Sequence, residues 1–363
     1  MTYLDANAAE PLRPSARAAM IEALGQVGNP SSVHGPGRAA RRILEDARES
    51  LAASFGARPA ELVFTSGGTE ADALALHALS PGRRVIIGAT EHDAVRAAAP
   101  EAAILPVDMS GVADLAALEA LLAEGEPALV ALMLANNETG VLHPIAEAAR
   151  LCHRFGALLH VDAVQAAGRV AFDFAALGAT SLALSSHKLG GPVGVGALLL
   201  APEAAEHFRP LIEGGGQERG RRGGTPALAA IAGFAVAARE ALAAPAALGP
   251  LRDAAERAAR AAGAVVLGTG APRLENTTTL ALPGLKAETQ VIALDLAGIA
   301  VSAGAACSSG KVAESHVLRA MGAGALAGQA IRVSLPWNAT EEDVQRFATA
   351  YAEMAARLLR RAA

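Results

Sequence analysis

Short apolar runs alternate with longer amphipathic stretches along most of the chain, and a polar or glycine-rich turn closes each run. Glu61–Thr65, Arg84–Gly88, Ala128–Leu134, Ala157–Val161, Ser181–Ser185 and Gly196–Leu200 read as strands. Several are apolar at consecutive positions rather than alternate ones, which predicts strands buried on both faces. Between them, Glu70–Leu79, His92–Ala98, Val112–Ala123 and Ala146–Phe155 read as helices. In the third, Leu115, Leu118, Leu121 and Leu122 fall on one face. Pro144 stands at a helix start, where its missing N–H costs nothing. Thr225–Ala243 reads as a long Ala-rich helix, and Ala244-Pro245 and Gly249-Pro250 then punctuate the chain. A smaller group of strands follows: Val265–Val266, Thr277–Leu282, Ile299–Ser302 and Ile331–Leu335. A last helix begins after Thr340, its N-cap, with Asp343 three residues on.

This alternation predicts an α/β fold whose large domain holds a mostly parallel, doubly wound sheet covered by helices. The punctuation after the Ala-rich helix places a boundary there. The expected division is a large domain over 13–245 and a smaller α/β unit made of 1–12 with 246–363.

Composition narrows the classes. Apolar residues form 52% of the chain, enough for a large core, but aromatics only 3%, so Ala, Leu and Val must do the packing. The net charge is −5, so no chain-wide basic field invites nucleic acid or an anionic membrane surface. The longest apolar stretch, Pro226–Ala238, ends at Arg239, short of the roughly 20 residues of a membrane span. The N-terminal segment, with Asp5, Glu10 and two prolines, lacks the basic and apolar regions of a signal peptide. Cys152 and Cys307 form no CxxC pair and no disulfide framework, which fits a reduced, cytoplasmic setting.

The polar residues gather at the carboxyl ends of the proposed strands, where open α/β sheets bind ligands. Ser66-Gly67-Gly68-Thr69 joins a strand to a helix; its glycines let backbone N–H groups approach an anion, although an ordinary capped turn looks the same. Asp162 ends another strand, with Gln165 one turn on. A carboxylate there needs a cation, such as a protonated heterocyclic nitrogen, or the donors of a helix start. Lys188 follows a third strand within Ser185-Ser186-His187-Lys188, either as a solvated lysine or as an amine made nucleophilic by desolvation. Lysine is scarce, with only Lys188, Lys286 and Lys311 present. His92 sits where it could cap a helix, stack on a planar ligand or carry protons. Cys307 lies in a Gly-, Ala- and Ser-rich segment from Ser302 to Gly310 that would expose its thiol, whereas Cys152 reads as core. Gly194-Val195-Gly196 lacks the third glycine of a dinucleotide fingerprint, and Gly310-Lys311 is no P-loop. HExxH and clustered Cys/His metal ligands are absent from the sequence, so no metal is expected. Arg219, Arg221 and Arg222 in a Gly-rich loop make a solvated face or an anion contact.

Taken together and in order, these segments resemble the cysteine desulfurases of the NifS/IscS type, within the class-V aminotransferases, which are fold-type I pyridoxal-phosphate enzymes. The matching pieces run from Tyr3-Leu4-Asp5 through Gly28-Asn29-Pro30-Ser31-Ser32 with His34, Phe64–Glu70, Thr90-Glu91-His92 and Asn136–Gly140. They continue through His160–Gln165, Ser186–Lys188, Gly214–Gly220 with Gly224-Thr225, Ser302–Ser309 and Ile331–Leu335. The resemblance implies that Lys188 holds pyridoxal 5'-phosphate covalently and that Asp162 pairs with its ring nitrogen. It implies Gln165 on the ring hydroxyl, His92 stacked on the ring and active in proton transfer, and Gly68, Thr69, Ser185 and His187 on the phosphate. Thr225 would reach the phosphate of a neighbouring subunit, hence a homodimer. Asn137, also counted with the cofactor contacts, and Arg332 would hold the substrate carboxylate. Cys307 would take sulfur from L-cysteine as a persulfide, leaving alanine, and pass it to an acceptor or scaffold protein, as in iron–sulfur cluster assembly.

The same fold also implies rivals: an aminotransferase or selenocysteine lyase, or a non-catalytic homologue acting as scaffold. Departures from the family pattern are Ala8-Ala9-Glu10-Pro11, Gly190 after the lysine, Gln217 for a common His, and Pro336-Trp337-Asn338. The sequence stops soon after its last helix, short of the tail that housekeeping members use for scaffold docking, so the resemblance leaves the acceptor open.

Overall fold

A computed structural model describes residues 1–205, 208–304 and 314–362 of the 363-residue chain. The first elements are β1 (Thr2–Tyr3), α1 (Pro14–Leu24), α2 (Gly35–Ser54), β2 (Leu62–Thr65), α3 (Gly68–Leu79), β3 (Arg84–Gly88) and α4 (Asp93–Ala98). Then come β4 (Ala103–Leu105), α5 (Leu115–Leu122), β5 (Ala128–Ala131), α6 (Ile145–Arg154), β6 (Leu158–Asp162), α7 (Phe174–Leu177), β7 (Ser181–Ser185) and β8 (Gly196–Leu200). α8 (Pro202–Ala205), α9 (Leu228–Ala243), α10 (Gly249–Ala261), β9 (Val265–Leu267), β10 (Thr277–Ala281) and α11 (Ala287–Leu296) follow. The chain closes with β11 (Ile299–Ala300), β12 (Ser302–Ala303), α12 (His316–Ala320), β13 (Ala330–Ser334) and α13 (Glu341–Ala362).

Among the described residues, seven strands form the main sheet in the order β2-β8-β7-β6-β5-β3-β4. β8 runs antiparallel to both β2 and β7, while the pairs from β7 to β4 are parallel. β2 therefore points the same way as β7, and six of the seven strands present their carboxyl ends along one edge. Successive residues of β5 show why these strands are apolar throughout: Ala128 and Val130 pack into one core, Leu129 and Ala131 into another across the sheet. α3 supplies Leu74, Ala75 and Leu79 to the second of these.

A four-stranded sheet, β12-β13-β10-β9, packs with α10, α11 and α13 around a separate core that includes Leu280, Ile331, Val333, Phe347 and Tyr351. Leu4 belongs to that core and not to the large one.

Several boundaries move for local reasons. α5 begins at Leu115 rather than Val112, because Asp114 accepts from the N–H groups of Ala116 and Ala117 and so caps the helix. Asp108 meanwhile holds Ser110 and Val112 in a turn. α9 begins at Leu228, not Thr225, since a residue preceding proline is driven out of helical geometry. β5 ends at Ala131, although Leu132 and Leu134 still donate to His160 and Asp162 carbonyls along β6. The expected strand Ile299–Ser302 is divided: β11 pairs with β1, and β12 with β13. α1, α2 and β1 were not anticipated. His34 accepts from Gly37 N–H and caps α2, with Pro36 in its first turn, so the Gly-Pro-Gly run opens a helix. Thr340 and Asp343 exchange reciprocal bonds before α13, as expected.

Candidate active site

The carboxyl edge of the main sheet opens on a cavity of about 260 Å³. Gly68, Thr69, His92, Asn137, Asp162, Gln165, Ser185, His187, Lys188 and Arg332 all line it. Thr225 is exposed and does not line it. Cys307 lies outside the described residues.

Gly68 is the first residue of α3 and is buried against the turn that follows β6. A Cβ there would stand 2.7 Å from Val164 Cγ2, so any side chain at this position would have to push the Val164 methyl and the turn that carries it aside. Glu70, in the same turn of α3, accepts from Ser66 N–H and pairs with Arg222 at 2.8 Å. The arginine cluster is thus partly spent within the molecule, Arg221 donating to the Ala60 carbonyl. Ser185 Oγ and His187 Nδ1 are 3.0 Å apart, and burial lowers the His187 pKa to about 4, helped by the Lys188 charge.

Lys188 Nζ donates to the carbonyls of Asn7, at 2.6 Å, and Ala8, at 2.9 Å. Asp162 accepts from Val164 N–H at 2.8 Å. Its pKa rises from 3.8 to about 7, first through burial and then through the neighbouring Asp72. His92 Nδ1 accepts from Ala94 N–H and caps α4 while the ring lines the cavity. For both Asp162 and His92, the capping role and the ligand-facing role coexist, because each side chain uses one atom for the turn and still borders the cavity. Arg332 donates to the Asn137 carbonyl at 3.1 Å and pairs with Asp5 at 2.6 Å. Its buried Nε has no hydrogen-bond partner among the described residues.

The sequence reading missed several cavity residues. Asp72 on α3 is fully buried, and burial raises its pKa to about 7; it meets His160 Nε2 at 3.1 Å. Burial lowers the His160 pKa to about 4, so the ring is neutral, with Nε2 3.1 Å from Asp72 Oδ1 and Nδ1 2.8 Å from Ser181 Oγ; one ring nitrogen donates and the other accepts. Glu138, from Asn136–Gly140, has its pKa raised by burial and accepts from Ser315 Oγ at 2.6 Å. Asp72 sits at helical spacing inside α3, where nothing in the sequence separates it from a surface position. Glu138 sits in the Asn136–Gly140 turn, where residue type alone assigns it no role. Cys152 is core, 2% exposed, with burial pushing its thiol up to about 12.

A lysine, a strand-end aspartate and a glycine-opened helix around one cavity on a mostly parallel sheet define a fold-type I site. The chain belongs to the class-V aminotransferase family, whose sequence profile matches residues 2–347. It is 44% identical over 362 residues to a cysteine desulfurase of Cereibacter sphaeroides, covering 95% of this chain and 93% of that protein. It is 40% identical to the cysteine desulfurase NifS of Azotobacter vinelandii, over 95% of this chain and 90% of that one. Among solved structures, a NifS-like protein from Rickettsia africae superposes with a TM-score of 0.91 at 33% identity, covering 98% of this chain and 99% of that chain.

The residues fit the cofactor on which fold-type I enzymes depend. The carboxyl of Asp162, costly to ionise alone, suits a cationic ring nitrogen. The Gly68 backbone at the start of α3, with Thr69 and Ser185 beside it, suits a phosphate. Among the described residues no group of His, Cys, Asp and Glu is placed to hold a metal ion, and no helix is long and apolar enough to cross a membrane.

Proposed function

We propose that the protein is a pyridoxal-phosphate-dependent cysteine desulfurase, converting L-cysteine to L-alanine and collecting the sulfur as a persulfide on Cys307. The observation that carries this is the convergence of Lys188 and Asp162 on one cavity together with Gly68, His92 and Arg332.

Pyridoxal phosphate, when bound, supplies an electron sink for charge developing at the amino acid Cα. Lys188 would hold it and, once displaced by substrate, take the Cα proton at Nζ; the Asn7 and Ala8 carbonyls orient that amine. Asp162 would keep the ring nitrogen protonated, and Gln165 would meet the ring oxygen. Gly68, Thr69, Ser185 and His187 would hold the phosphate, with Thr225 contributing across a homodimer. His92 would cover the ring and pass protons. Arg332, already fixed by Asp5, would clamp the substrate carboxylate beside Asn137. The Cys307 thiolate would attack the substrate sulfur, and a sulfur-acceptor or scaffold protein of a cytoplasmic pathway would receive it. The division into a large unit over 13–245 and a small one of 1–12 with 246–363 belongs to the same reading; the core shared by Leu4, Leu248 and Leu280 supports it.

One assay tests the reading: alanine and sulfide release from L-cysteine with a thiol reductant. Lys188→Ala is expected to lower turnover by roughly 10²–10⁴-fold and to change the visible absorption of the bound cofactor. Cys307→Ser is expected to keep the cofactor band and lose persulfide formation. Undiminished sulfur release by Cys307→Ser would sink the assignment of the persulfide, and a colourless wild type after incubation with the cofactor would sink the enzyme.

A further inference from the structure

Behind Gln165 lies a buried ion pair with no part in the reaction outlined above. Glu10 Oε1 and Arg169 Nη2 are 3.0 Å apart, their side chains 5% and 10% exposed. Arg169 Nη1 donates to Gln165 Oε1 and, at 3.3 Å, to the Gln165 carbonyl. Gln165 Nε2 donates to the Asn7 carbonyl at 3.0 Å, the same carbonyl that takes Lys188 Nζ. Glu10 is held in turn by the backbone N–H of Trp337, which meets its Oε2 at 3.1 Å.

These contacts remove the ambiguity of an amide side chain. A guanidinium only donates, so the Gln165 atom facing it must be the oxygen. A carbonyl only accepts, so the atom facing Asn7 must be the nitrogen. Nε2 carries two N–H bonds; Asn7 takes one, and the side chain borders the cavity. The second N–H is thus what Gln165 can offer toward the cavity, while its oxygen is engaged by Arg169. The Arg169 charge on its oxygen also polarises the amide and strengthens that donor. Burial lowers the Arg169 pKa and raises that of Glu10, so neither charge is tolerable here without the other.

We propose that Glu10 and Arg169 are positioning residues that lock the Gln165 amide with its N–H toward the cavity, fixing it as the hydrogen-bond donor to an oxygen on the cofactor ring. The inference rests on the pyridoxal-phosphate reading and adds to it the device that holds one contact in a single orientation. Without Arg169 only the Asn7 carbonyl still selects the orientation, the Gln165 oxygen loses its charged donor, and the amide is held less firmly with its N–H toward the cavity.

A double-mutant cycle on the full-length protein tests this, with pyridoxal phosphate affinity and the position of the visible band as readouts. Gln165→Ala and Arg169→Gln are each expected to weaken cofactor binding about tenfold, the worth of a charge-assisted hydrogen bond, and to shift the band alike. Together they should cost no more than the larger single loss, because Arg169 acts only through Gln165. Arg169→Lys, which keeps a donor to Gln165, should recover part of the affinity. Should Arg169→Gln fail to fold, Glu10→Gln takes its place in the cycle, since it discharges the anchor at constant shape. Losses that multiply in full, or an Arg169→Gln variant with wild-type affinity and band, overturn the lock. A wild type that takes up no pyridoxal phosphate overturns the cofactor reading instead, so the two failures are distinct.

Discussion

Asp162 shows what a single side chain can carry. Its carboxyl accepts one backbone N–H and is otherwise surrounded by the low-dielectric end of β6, with Asp72 nearby as a second acid. Its pKa of about 7, against 3.8 when exposed, means that the folded chain holds a proton there that the unfolded chain gives up. The stabilising contribution is complete below the unfolded value and is lost as pH rises through the folded one. In the cofactor-free protein, Asp162→Asn should therefore match the wild type near pH 4 and be more stable at pH 8, by on the order of 4 kcal/mol. With pyridoxal phosphate present the order should reverse, since Asn cannot neutralise a ring cation. Denaturant unfolding at the two pH values, with and without cofactor, reads both signs; a wild type more stable than the variant at pH 8 without cofactor contradicts the argument. A strand-end aspartate was legible in the sequence. Asp72, the second acid, was not, because its neighbour is brought by the sheet and not by the chain.

At the scale of elements, the site depends on how closely α3 approaches the β6 turn. Gly68 has ordinary helical geometry, so its role is space and not backbone freedom. Gly68→Ala would press a methyl group to within 2.7 Å of Val164 Cγ2. Val164 lies between Asp162 and Gln165, so the displacement reaches both. The expected cost is about 1–3 kcal/mol of stability, with weakened cofactor binding, measured by thermal unfolding and cofactor titration. Unchanged affinity would show that the β6 turn yields without moving its polar neighbours. Sheet strands and the Thr340 cap were readable because burial on both faces and capping chemistry leave period and residue type in the sequence. α1 and α2 were not, because their starts are crowded with Pro and Gly that serve equally well as turns.

At the scale of the molecule, the N-terminal segment stitches the two sheets together. Asn7 Nδ2 donates to the Asn137 carbonyl and to Thr277 Oγ1, its Oδ1 accepts from Asn276, and its carbonyl takes Lys188 and Gln165. Asn137 belongs to the cavity, while Thr277 opens β10, an inner strand of the smaller sheet, and Asn276 precedes it. Asn7→Ala removes the side-chain bonds and keeps the carbonyl. It should cost roughly 2–3 kcal/mol of stability through the buried partners left unpaired, while Lys188 still holds the cofactor. Denaturant unfolding and the visible spectrum separate those effects; a loss of the cofactor band would mean that the side chain, and not the carbonyl, positions the amine.

The sequence by itself determined the α/β class, the mostly parallel sheet and the places where polar residues interrupt buried strands, because local burial is written into residue type. It also singled out Lys188, Asp162, Gly68 and His92, since each ends or opens an element, whereas Arg332, in the middle of β13, was reached only through the family resemblance. The tertiary structure alone decided that these converge, that Arg332 is met by Asp5, that Asp72 stands behind Asp162, and that Glu10 and Arg169 meet beneath Gln165. The physical reason is separation along the chain: partners 159 residues apart, as Glu10 and Arg169 are, leave no mark on local periodicity. Their pairing exists only once the core has buried both charges.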